Sequence, residues 1–182
     1  MFIEKIESLH LDYEKMREDY NTVLSLALPN GWDQSAILQA KQVNLRGEHL
    51  IPSFNSEDAD PKNTERLAKE MFSFWNDSAP KYTRDAIEEL CYITGFKLTR
   101  ARYLCQAPGR GLSVHKDPGV RFHFVLDTNP QSLFFNVKDT PLHENMDTYH
   151  LPCGSHFYKI DTTQDHFVYN AGHTNRIHLV IS

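Results

Sequence analysis

Val120-Arg121-Phe122-His123-Phe124-Val125-Leu126-Asp127, closed by Thr128-Asn129-Pro130, sets the fold class of this chain. It is a short run dense in Phe, Val and Leu, ended by turn residues, and it predicts a strand. After Gly95 similar runs cover 97–106, 112–116, 120–127, 132–138, 148–152, 155–161, 165–170 and 175–181. Turn-rich breaks separate them, among them Pro108-Gly109-Arg110-Gly111, Pro152-Cys153-Gly154 and Asn170-Ala171-Gly172. Short strands at this spacing predict a β-sandwich or jelly-roll barrel.

Upstream of Gly95 the pattern is helical. Ile6, Leu9, Tyr13, Met16, Tyr20, Val23 and Leu24 recur at three- and four-residue steps, which predicts a helix over 4–28 stopped by Pro29-Asn30-Gly31. Val43 to Gly47 reads as a strand, and 48–63, rich in Pro, Ser, Asp and Asn, as a loop. Leu67, Ala68, Met71, Phe72 and Trp75 place a second helix over 64–75. A third runs from Thr83 to Thr94, with Thr83 as N-cap, Asp85 in the first turn and Gly95 just past its end. Helices first and strands after give an α+β chain, mainly β. The expected architecture is a double-stranded β-helix (jelly-roll, cupin-like) with the N-terminal helices packed outside one sheet. One domain is expected over 1–182, with 1–95 as helical support and 96–182 as the core that carries the site.

Composition excludes several function classes. Lys and Arg number 19 against 24 Asp and Glu, a net charge of −5, and no basic run points to nucleic acid or an anionic membrane as partner. No apolar stretch approaches the roughly 20 residues of a membrane span, and the N-terminus does not read as a signal peptide. Cys91, Cys105 and Cys153 are an odd set without metal-ribbon spacing, expected as buried free thiols in a reducing compartment. The expected location is cytoplasmic, and the expected partner a small molecule, peptide or protein substrate.

The chemistry concentrates in the second half. On a strand, His115 and Asp117 point to one face. A distant histidine, taken as His166, completes a 2-His-1-carboxylate set, which suits Fe(II) and leaves open coordination positions. His-x-Asp alone is a weak signal in a chain with ten histidines. The flanking strands add weight. Arg176-Ile177-His178 and Arg121-Phe122-His123 each turn an Arg and a His to one face of an apolar strand. A guanidinium buried without an acid costs about 3–5 kcal/mol, so either the chain or a ligand supplies one. A dicarboxylate co-substrate fits, through a bidentate salt bridge.

Tyr103-Leu104-Cys105-Gln106-Ala107-Pro108-Gly109, His115-Lys116-Asp117, Arg121-Phe122-His123, His166-Phe167-Val168-Tyr169-Asn170 and Arg176-Ile177-His178-Leu179-Val180 together resemble the aspartyl/asparaginyl β-hydroxylase family of Fe(II)/2-oxoglutarate oxygenases. The resemblance covers about the last 85 residues. It implies that His115, Asp117 and His166 bind iron and that Arg176 holds the far carboxylate of 2-oxoglutarate. Arg121, His123 and His178 would line the co-substrate or substrate side. The reaction implied is hydroxylation of an unactivated C–H bond of an Asp or Asn residue or of a free amino acid. Leu104 stands where some members place a serine against that carboxylate, so a second contact must come from elsewhere. Tyr169 and Asn170 are candidates to face the substrate. His143, His150, His156 and His173 read as surface or loop residues, His10 and His49 as scaffold, and Trp32 and Trp75 as core. Two other classes stay open: a cupin-like metal enzyme without 2-oxoglutarate, in which Arg176 faces solvent or a protein acid, and a non-catalytic small-ligand-binding module.

Overall fold

The structure, a computed structural model, describes residues 1–27, 41–46, 72–138 and 145–182. Two antiparallel sheets face each other. The six strands of the larger are ordered β1 (Ile3–Lys5), β8 (Phe157–Ile160), β5 (Arg121–Asp127), β10 (Arg176–Ile181), β3 (Ala101–Gln106) and β2 (Lys41–Asn44). The smaller sheet runs β4 (Arg110–His115), β9 (His166–Asn170), β6 (Ser132–Val137) and β7 (Met146–His150). The eight runs after Gly95 are β3 to β10, in a jelly-roll of the double-stranded β-helix type, as the sequence predicts.

Helix α1 (Tyr13–Ala27) and helix α2 (Lys81–Thr94) cover the outer face of the larger sheet. Alternation along each strand explains how. On β5, Phe122, Phe124 and Leu126 join Leu179 and Ile181 of β10 in a core with Met16, Tyr20 and Val23 of α1 and Ile87 and Leu90 of α2. Fully burying such side chains is worth about 1.5–3 kcal/mol each. The opposite face of the same strands carries Arg121, His123, Arg176 and His178. A smaller apolar cluster of Phe2, Val125, Phe134, Leu151, Tyr158, Ile160 and Val168 lies between the sheets.

The helical half departs from expectation in several places. Ile3–Lys5 is an edge strand against β8, and helix begins only at Tyr13. The cause is local: Asp12 Oδ1 accepts from the amides of Glu14 at 3.1 Å and Lys15 at 3.2 Å and caps the helix there. Its expected stop at 29–31 lies outside the described residues. The strand expected at 43–47 begins at Lys41 and ends at Asn44. The loop at 48–63, His49, His143, Trp32 and most of the helix at 64–75 also fall outside them. Phe72 to Trp75 are not helical, and Trp75 bridges Arg46. Trp75 is partly buried against the core.

The last helix starts at Lys81, after Pro80, so Asp85 sits in its second turn, paired with Lys81 at 2.5 Å. Thr83 is not its cap. It is buried, and both its amide (2.9 Å) and hydroxyl (2.7 Å) donate to Asp19 Oδ2 of α1. Gly95 ends the helix with φ +67°, as expected of a C′ glycine. Of the cysteines only Cys105 is buried; Cys91 is half-buried and Cys153 exposed. Among the described residues no helix is long and apolar enough to cross a membrane.

Asp19 ties α1 to α2 through two donors on one buried threonine. Asp19→Ala leaves those donors without a partner and is expected to lower stability by about 1–3 kcal/mol, read as a fall in the urea midpoint. A midpoint equal to wild type contradicts this account.

Candidate functional site

His115 is the last residue of β4, and His166, the first of β9, is its register partner. That pairing brings the two imidazoles together on the inner face, with ring centroids 4.3 Å apart and planes tilted by 49°. Asp117 lies beyond the end of β4, so it does not share a strand face with His115 as the spacing alone implies. It is held by other means. Its amide donates to the Thr162 carbonyl at 2.8 Å, and the Thr162 hydroxyl reaches back to the Gly119 carbonyl at 2.5 Å. Lys116 pairs with Asp165 at 3.3 Å across the same two segments.

The three side chains offer ligand atoms within 4.8 Å of one another. Asp117 Oδ2 stands 3.6 Å from His166 Nε2 and 3.9 Å from His115 Nε2. Both histidines have their other nitrogen fixed: Nδ1 of His115 is 2.7 Å from the Ser113 carbonyl, and Nδ1 of His166 is 2.9 Å from the Gln164 carbonyl. A carbonyl only accepts, so each Nδ1 carries the proton and each neutral ring turns the Nε2 lone pair inward. Burial holds the His166 pKa below its ordinary value, which favours that neutral form. Asp117 Oδ1 accepts from Arg121 Nη2 at 2.5 Å, while Oδ2 is buried without a hydrogen-bond partner. Two imidazole lone pairs and an orphaned carboxylate oxygen converging on one point are a donor set that fits a divalent cation, with each donor oriented from behind.

Arg121 is therefore committed to Asp117. The structure places it behind the carboxylate, not in the pocket that holds Arg176. The other predicted polar residues form a second cluster. Arg176, His178 and His123 are all buried. Arg176 Nη2 donates to His178 Nδ1 at 3.1 Å, and its guanidinium lies over the Phe134 ring, 4.8 Å from the centroid. His123 Nδ1 lies 3.2 Å from the same His178 nitrogen. Arginine only donates, so His178 Nδ1 accepts. His178 must then carry its proton on Nε2, and His123 must donate from Nδ1. That leaves His178 Nε2–H as a buried donor and His123 Nε2 as a buried acceptor, both without partners.

Among the described residues no carboxylate pairs with Arg176. Burial alone pushes its pKa down to about 9, so it remains a cation at neutral pH. Its side-chain hydrogen bond goes to the neutral His178 ring. Gln106, its register partner, is also buried with an unpartnered amide oxygen. Leu104 lies opposite His178.

Tyr169 does not face the site, and Asn170, on the same strand face as His166, is four residues further along β9. Tyr169 points away from the inner face and is 42% exposed. Asn170 is structural: its Nδ2 donates to the carbonyls of Gln106 at 3.0 Å and Thr174 at 2.8 Å. His10, His150 and His173 are exposed, and His156 is half-buried beside His10. The parity rule that flags Arg121 and Arg176 also applies to Arg100 and Arg102 at the start of β3, which sequence reasoning passed over.

Burial lowers the pKa of His123 and of His178 well below 6.5, with Arg176 adding to the shift. The unfolded chain then binds protons that the folded one refuses as pH falls below about 6.5, so stability present above that pH is lost below it. Each histidine contributes a slope of up to about 1.4 kcal/mol per pH unit. His178→Gln is expected to reduce the acid slope of unfolding free energy by up to one proton, and an unchanged slope between pH 6.5 and 5 counts against neutral burial.

The sequence matches no protein-family model and no curated protein. Solved structures do share its fold. OsALKBH1 superposes with a TM-score of 0.61 over 99% of this chain and 97% of that one, at 12% identity. A Pseudomonas putida prolyl-4-hydroxylase gives 0.51 over 98% and 90%, also at 12% identity. The likeness is one of fold, and it does not carry the narrower resemblance to the aspartyl/asparaginyl β-hydroxylases. The chain thus shares the double-stranded β-helix fold of these two structures, and its inner face carries a His-Asp-His cluster whose donors fit a divalent cation such as Fe(II).

Proposed function

We propose that the protein is an Fe(II)- and 2-oxoglutarate-dependent oxygenase that hydroxylates an unactivated C–H bond. The observation that carries this is the pairing of two features inside one barrel: the orphaned oxygen of Asp117 between two Nε2 lone pairs, and a buried Arg176 with no acid beside it among the described residues. His115, Asp117 and His166 would hold the metal, and Arg121 would keep Asp117 monodentate by occupying Oδ1. Arg176, with His178 Nε2–H beside it, would fix the far carboxylate of 2-oxoglutarate. Iron bound there supplies the dioxygen chemistry that side chains lack. The balance is substrate C–H, 2-oxoglutarate and O2 giving C–OH, succinate and CO2.

A cupin-like enzyme that dispenses with 2-oxoglutarate predicts an Arg176 that is solvated or paired to a protein acid. Arg176 is buried and meets no acid among the described residues, and this favours the co-substrate reading. The narrower substrate, an Asp or Asn side chain or a free amino acid, rests on the motif resemblance alone.

With Fe(II) and 2-oxoglutarate the purified protein is expected to form succinate, even without a prime substrate. His115→Ala should abolish this. Arg176→Gln loses charge-assisted hydrogen bonds of about 1.5–3 kcal/mol, so the 2-oxoglutarate concentration for half-maximal turnover should rise about 10- to 100-fold. Fe(II) affinity should move far less. Succinate formation that survives His115→Ala, or an Arg176→Gln protein with wild-type co-substrate demand, would sink the assignment.

A further inference from the structure

The inner face of the larger sheet carries a second group of guanidiniums. Arg102 is flanked on its strand by Ala101 and Tyr103, which pack on the helix side. Its side chain therefore faces inward, as does that of Arg100 two residues earlier. Arg100 and Arg102 donate to the same oxygen, Gln42 Oε1, at 3.3 and 2.9 Å. Arg100 Nε also donates to Asn44 Oδ1 at 2.8 Å, and its guanidinium lies 4.5 Å from the Phe72 ring centroid. Arg102 Nε–H is shut off from solvent and has no partner.

Two cations are thus gathered on one neutral amide, and among the described residues neither pairs with a carboxylate. Burial lowers the pKa of both arginines, Arg100 to about 10, and neighbouring guanidiniums lower them further. The Asp117 carboxylate opposes that shift in Arg102. Arg102 shares Val180 as register partner with His123.

This group is distinct from the Arg176 pocket. Arg176 lies opposite Gln106, and Arg102 opposite Val180, a displacement of four residues, or about 13 Å of strand. On the oxygenase reading, a 2-oxoglutarate held at Arg176 by one carboxylate and at the metal ligands by its other end has no acid group left for Arg100 and Arg102.

We propose that Arg100 and Arg102 form a subsite for an acid group of the prime substrate, so that the molecule hydroxylated carries a carboxylate. This rests on the oxygenase reading for the word substrate. The anion site itself rests only on the two arginines and Gln42. Arg121 is not part of it, being held by Asp117.

The test uses the full chain loaded with Mn(II), a redox-inert ion for the same donors, at saturating 2-oxoglutarate, with inorganic phosphate as probe. Phosphate should raise the melting temperature saturably. Arg102→Gln and Arg100→Gln should each weaken that response about tenfold or more, Arg102→Lys should keep part of it, and Arg176→Gln should keep it whole. No response in the wild type, or one that survives both glutamine variants, overturns the site. Calorimetric Kd values for 2-oxoglutarate separate the sources of the anion. Arg176→Gln should raise that Kd tenfold or more; if Arg102→Gln raises it equally, the pair holds co-substrate and the proposal falls. If instead 2-oxoglutarate does not bind at all while the phosphate response persists, the oxygenase reading has failed and the anion site has not. Among amino acids and peptides that stimulate turnover, acids should be favoured over their amides by tenfold or more, and equal use of both overturns the substrate assignment.

Discussion

Between the two sheets, guanidiniums outnumber carboxylates among the described residues. Arg100, Arg102, Arg121 and Arg176 all point there, and among the described residues Asp117 is the one acid that pairs with any of them. An interior of this kind does not hold a barrel together. The fold depends on the other face of the same strands, where Phe122, Phe124, Phe157, Leu179 and Ile181 are buried under α1 and α2. Five such side chains are worth on the order of ten kcal/mol, the same order as the cost of three guanidiniums left without an acid at about 3–5 kcal/mol each. The helical layer is thus what allows the inner face to be polar.

The same alternation explains what was legible in the sequence. A strand that is apolar on both parities reads as core, whereas Arg121-Phe122-His123-Phe124 and Arg176-Ile177-His178-Leu179 declare one polar and one apolar face. Those strands, their inward residues and the meeting of His115 with His166 follow from parity and from the order of the runs. Asp117 reaches the site for a different reason. Spacing assigns it to the strand of His115, yet the strand ends first, and the aspartate is set by its bonds to Thr162 and Arg121. Contacts made some forty residues away along the chain leave no local periodicity to detect.

The misread N-terminus has a similar physical origin. Ile6 and Leu9 fit a helical period with Tyr13 and Met16, but three- and four-residue steps also suit a short edge strand followed by a helix. Asp12, with free amides after it, was the available signal, because an aspartate that can cap competes with continuing the helix. Thr83 shows the reverse. It has the right residue type for a cap, but burial beside Met16 turns its hydroxyl to Asp19 of the neighbouring helix. Arg100 and Arg102 needed no new rule, only the parity argument already applied to β5 and β10.

Arg121 and Arg176 share a residue type and an inward direction, and their partners set them apart. A carboxylate beside Arg121 satisfies the charge permanently, which suits a group whose use is to hold Asp117 still. Arg176 has a neutral imidazole instead. His178 accepts one of its N–H groups without cancelling the charge, and the same bond forces the His178 proton to Nε2, where it becomes a second donor. An aspartate in place of His178 would bind Arg176 more tightly and close the pocket to any outside anion. Replacing an acid by histidine costs stability and leaves a buried cation that no acid among the described residues neutralises, so under the proposed function the difference between these two arginines is the difference between a structural ion pair and a ligand anchor.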